Sequence, residues 1–63
     1  MNYKSVHDET YKGRDISIYT MMDGTFIADV KRKCGELIAG WCELEDFESA
    51  LWTAREFVCS MRK

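Results

Sequence analysis

The sequence predicts an α+β domain: a three-stranded antiparallel β-meander with one C-terminal helix laid on one face. Three observations predict it. Apolar residues from Phe47 onward recur at helical spacing, two earlier stretches alternate apolar and polar residues, and glycine-containing turns separate those stretches. With 63 residues there is room for a single domain, 1–63, near the lower limit for a self-sufficient core.

Residues 1–13 mix polar residues with isolated Tyr3, Val6 and Tyr11 and end at Gly13, so they read as an irregular lead-in. Strand-like alternation starts at about 14–21, where Ile16 and Ile18 flank Ser17 and precede Tyr19. Met22-Asp23-Gly24 marks a hairpin, and residues 25–32 alternate again, with Phe26, Ala28 and Val30 on one face and Ile27, Asp29 and Lys31 on the other. Side-chain registry selects the turn. A two-residue loop would put Ile16 and Ile18 on the face opposite Phe26, Ala28 and Val30. A three-residue loop pairs Thr20 with Phe26, Ile18 with Ala28 and Ile16 with Val30, gathering the five apolar side chains on one face. The expectation is a type I turn plus bulge with Gly24 at positive φ.

Lys33-Cys34-Gly35 repeats the turn signal before a third strand at about 36–42. A two-residue turn would send Leu37, Ala39 and Trp41 inward; a three-residue turn would send Ile38, Gly40 and Cys42 inward. The size of Trp41 favours the first set. Asp46 suits the N-cap of a helix at about 47–61, whose stripe is Phe47, Ala50, Leu51, Ala54, Phe57, Val58 and Met61. Glu45 and Glu48 suit its positive end, and Arg62 and Lys63 its negative end.

One helix covers one face of such a sheet, which leaves Tyr19, Met21 and Ile27, plus either Ile38 and Cys42 or Leu37 and Trp41, on an open face for lysine and arginine stems, the N-terminal segment or a partner to cover. Trp52 falls off the apolar stripe, beside Glu48, Arg55 and Cys59. It either extends the core at the helix edge, stacks under Arg55, or anchors a partner. The candidate partner-binding residues are therefore Tyr19, Ile27, Trp52 and Arg55, with a protein partner or a homodimer as the expected ligand. Lys31, Arg32 and Lys33 form a candidate basic patch at a turn. A net charge of −2 makes nucleic acid the less favoured partner, leaving a nucleic-acid accessory role as an alternative.

No catalytic site, cofactor, metal or small-molecule ligand is implied. The single histidine, His7, lies in the lead-in, and no Ser-His or Cys-His spacing is present. Three cysteines, Cys34, Cys42 and Cys59, match no zinc or CxxC pattern; reduced thiols packed as small hydrophobes are expected, against a reactive thiol or a metal site completed by His7. The N-terminus lacks an apolar signal segment, and no stretch approaches the roughly 18 apolar residues of a membrane span, so a cytoplasmic location is expected.

The succession Tyr11-Lys12-Gly13, Ile16-Ser17-Ile18, Asp23-Gly24-Thr25-Phe26-Ile27-Ala28 and Glu48-Ser49-Ala50-Leu51-Trp52-Thr53-Ala54-Arg55 resembles small uncharacterised bacterial and phage β-β-β-α proteins. It is also similar, over about residues 11–60, to the N-terminal module of HicB-type antitoxins, which is partly like a double-stranded-RNA-binding domain in shape. The resemblance implies the fold and a protein-binding role, with a phage or mobile-element inhibitor of the anti-defence or antitoxin kind as the alternative reading. HicB-type proteins usually continue into a DNA-binding domain, whereas this sequence stops at Lys63 and lacks their proline-containing loop, so DNA autoregulation is not implied.

Overall fold

The computed structural model describes residues 3–61. Four antiparallel strands lie side by side in sequence order: β1 (Tyr3–Tyr11), β2 (Arg14–Met21), β3 (Phe26–Lys31) and β4 (Leu37–Leu44). One helix, α1 (Phe47–Met61), packs on one face. The α+β class and the C-terminal helix agree with the sequence reading; the strand number does not, because the expected lead-in is an edge strand over its described part.

Two physical features hide β1 in the sequence. Val6 is an extra residue, since the register with β2 shifts between Ser5 and His7, and this breaks the period of two. The strand also offers the helix polar side chains, His7 and Glu9, in place of aliphatic ones. Its turn is readable in retrospect. Lys12 and Gly13, with φ of 51° and 84°, form a two-residue hairpin loop that pairs Tyr11 with Arg14.

The β2–β3 hairpin has the register argued above, pairing Thr20 with Phe26, Ile18 with Ala28 and Ile16 with Val30. The Met21 N–H donates to the Thr25 carbonyl at 2.8 Å across a three-residue loop, and Gly24 has φ +92°. The Asp23 carboxylate accepts from the Thr25 hydroxyl at 2.7 Å and its N–H at 3.0 Å, which holds Asp23 below its ordinary pKa.

The β3–β4 turn repeats this geometry, with the Arg32 N–H donating to the Glu36 carbonyl at 2.9 Å. That three-residue loop alone would point Ile38 inward. A bulge at Ile38 intervenes, so Val30 pairs with Ala39 and Ala28 with Trp41. Ala39 and Trp41 thus share the core face, Ile38 is partly buried against the core, and Leu37 is 58% exposed.

Ile16, Ile18, Ala28 and Val30 of the sheet are fully buried against Ala50, Ala54 and Val58 of the helix. Each of the four largest fully buried side chains, Ile16, Ile18, Val30 and Val58, contributes about 1.5–3 kcal/mol of burial. Phe26 and Trp41 close the ends by edge-to-face contacts with Phe47 and Phe57, at centroid distances of 6.5 and 5.3 Å. Asp46 is the N-cap: its carboxylate accepts from the Ser49 N–H at 2.7 Å, which lowers its pKa. Arg62 and Lys63, expected to complement the helix C-terminus, lie outside the described residues. Among the described residues, no helix is long and apolar enough to cross a membrane.

Candidate partner-binding site

Trp52 is placed by the helix period. Ala50, Ala54 and Val58 occupy the buried line of α1, and at about 100° per residue position 52 turns away from that line. The residue is 66% exposed, so it does not extend the core. Surface depressions of about 440 and 340 Å³ flank the indole, one reaching Ser49 and Thr53 and the other Leu51 and Arg55, with Glu48 on both.

Arg55 has another role in the described structure. Its Nε and Nη2 donate to the two Glu9 carboxylate oxygens, each at 2.8 Å, and its guanidinium lies over the Tyr11 ring at 5.4 Å. Glu9, with a side chain 16% exposed, is held down to about pKa 2, first by the Arg55 hydrogen bonds against the opposing effect of burial. His7 Nε2 sits 2.9 Å from the same carboxylate and the His7 ring packs edge-on against Phe47 at 5.4 Å. These contacts fasten β1 to the helix. They also leave Arg55 as a boundary of the Trp52 surface whose charge is already neutralised.

Tyr19 and Ile27 are cross-strand neighbours on the open sheet face, as expected. Both are half-buried, and β1, which extends the sheet, lays Tyr3 edge-on against Tyr19 at 5.3 Å. The basic run is divided by the structure. Lys31 ends β3 and reaches a depression on the open face, Arg32 pairs with Glu36 at 3.1 Å, and Lys33 is exposed in the turn.

The open face carries a second group of residues that the sequence reading did not single out. Ser17, 93% buried at the middle of β2, donates to the Asp8 carboxylate at 2.7 Å, and the Thr10 hydroxyl donates to Asp15 at 3.0 Å. Asp29 lies over Gly40, where a Cβ would come within 3.0 Å of its Oδ1; burial raises the Asp29 pKa, with Lys31 opposing. The Lys12-Gly13 hairpin signal would have aligned Asp8 with Ser17 and exposed this group.

The cysteines are free, but they are not packed in the core: Cys34 and Cys42 are exposed and Cys59 is half-buried. Cys59 Sγ lies 3.4 Å from the Tyr11 hydroxyl and accepts from Lys12 Nζ at 3.5 Å. The Tyr11 hydrogen bond and then Lys12 pull its pKa below the usual thiol value, while the same contact raises that of Tyr11. Among the described residues, no cluster of three or more His, Cys, Asp or Glu side chains could hold a metal ion. No family model, curated protein or solved structure matches this chain.

Proposed function

We propose that the protein is a non-catalytic interaction module that binds a protein partner through the outward face of α1, with Trp52 as the anchor. The observation that carries this reading is a tryptophan left 66% exposed on a domain this small. Indole is a large apolar surface with a hydrogen-bond donor, and burying it in a partner recovers free energy that the isolated fold forgoes. The depressions on either side of the ring give a partner room to enclose it. Leu51 supplies apolar surface at the edge, whereas Glu48, Ser49 and Thr53 form a polar rim.

The test is quantitative capture from a lysate of the source cells, using wild type, Trp52→Ala and Ile27→Glu. Loss of a specific protein with Trp52→Ala, and its retention with Ile27→Glu, is the expected pattern. Equal recovery by wild type and Trp52→Ala removes the helix face as the binding surface.

A further inference from the structure

The sheet face opposite the helix carries a different chemistry from the Trp52 surface, and the two halves of that face differ. One half is apolar and aromatic: Tyr3 and Tyr19 meet edge-on, with Ile27 beside Tyr19 on β3. The other is a depression of about 480 Å³ lined by Asp8, Thr10, Asp15, Ser17 and Lys31 among others, with Asp29 paired to Ser17 across the strands. Among the described residues, Asp8, Asp15 and Asp29 share this half of the face with Lys31, while the Glu9 that also lines the depression is paired with Arg55.

We infer that this open face is a docking surface for a cationic protein segment, one that places Lys or Arg side chains among Asp8, Asp15 and Asp29 and an apolar side chain on Tyr19 and Ile27. The inference stands independently of the helix surface. Charge selects the occupant. An occupant covering the face removes water from carboxylates that have, among the described residues, only Lys31 beside them, and Asp29 is already partly desolvated. Arginine and lysine supply the missing charge, and the tyrosine rings offer a cation a further favourable surface.

A second copy of the chain is a poor occupant by the same argument. A two-fold axis pairs the face with itself, so both partners bring the same excess of carboxylates to the interface. The broad side of the molecule measures 35 × 21 Å, on the order of 700 Å², close to the roughly 800 Å² per partner of a stable interface. Such a dimer needs the entire face and so buries the carboxylates of both copies against their two lysines. The spacing favours an extended segment. The acidic and aromatic halves are one inward-outward repeat apart along β2, at Ser17 and Tyr19, about 7 Å, which is the reach of residues i and i+2 in an extended chain.

The experiment uses the full chain and a fluorescein-labelled peptide, Arg-Ser-Arg-Ser-Leu-Ser-Leu amide, read by anisotropy and by amide shifts of the ¹⁵N-labelled protein. Binding that weakens with salt is expected, with shifts at Asp8, Ser17, Ile27 and Asp29. The double variant Asp8→Asn, Asp29→Asn should bind about fivefold or more weakly. The control Glu45→Gln, Glu56→Gln, with the same change of charge, should bind as wild type does. Equal weakening in both variants, or wild-type shifts confined to α1, overturns the proposal. Concentration-dependent broadening of the same open-face amides without peptide assigns the face to a second copy and overturns it as well. The wild-type shift map decides the matter even if the double variant does not fold.

Discussion

Replacing Glu9 with Gln tests whether the polar contacts of β1 hold the first strand onto the helix. Glu9 receives two charge-assisted hydrogen bonds from Arg55 at 2.8 Å and a contact from His7 at 2.9 Å. Exposed pairs contribute at most about 1 kcal/mol, whereas breaking a buried pair costs about 3–5 kcal/mol. With the Glu9 side chain 16% exposed and that of Arg55 43% exposed, the site lies between these limits. Glu9→Gln should therefore cost about 1–2 kcal/mol, or about 5–15 °C in Tm for a domain of this size. Urea denaturation at pH 7 measures the loss. Adding Arg55→Met to Glu9→Gln should cost less than Arg55→Met does in the wild-type background, because the charge pairing is already gone and only the Tyr11 contact and a neutral hydrogen bond remain to be lost.

The pH dependence carries the same signature. The folded state lowers the Glu9 pKa from 4.5 to about 2, so the stabilisation is present above pH 4.5 and lost as pH falls toward 2. Wild-type stability should fall through that window more steeply than that of Glu9→Gln. Parallel curves for the two proteins, or a Glu9→Gln midpoint equal to wild type, would refute the latch.

Gly24→Val forces a β-branched residue to φ +92° and should cost on the order of 1 kcal/mol or more; an unchanged Tm counts against the turn. Ile18→Ala opens a cavity in the fully buried core and should cost about 2–5 kcal/mol in urea denaturation, against none for an exposed site. Tyr11→Phe removes the hydrogen bond that favours the Cys59 thiolate, so the Cys59 thiol pKa should rise and its alkylation by iodoacetamide at neutral pH should slow, as followed by peptide mass spectrometry. Equal rates would show that Tyr11 does not set the thiol's reactivity.

How much of the structure was legible follows from which forces leave a pattern in the sequence. The helix and the β2–β3 register were readable because Ile16, Ile18, Phe26, Ala28 and Val30 must share a face, and apolar periodicity records that requirement. β4 was partly readable: Trp41 faces the core as its size suggested, but the bulge at Ile38 that reconciles a three-residue turn with that orientation has no signature in composition. β1 escaped because its helix-facing residues are His7, Glu9 and Tyr11, joined to α1 by ion pairing, a sulfur contact and aromatic packing, none of which alters hydropathy periodically. The same omission hid the Asp8–Ser17 group. Trp52 was conspicuous as a break in the helical stripe, whereas the pairing of Arg55, expected beside Trp52, with Glu9 depended on β1 and left no pattern.

The most direct test of the helix face uses Trp52 as its own reporter. In a Trp41→Phe background Trp52 is the sole tryptophan, and the captured partner is titrated in while emission and acrylamide quenching are followed. We predict a blue-shifted emission and a loss of quenching, the signs of an indole leaving water for an apolar site. Saturable binding with the emission maximum and the quenching of Trp52 both unchanged would contradict its role as the anchor.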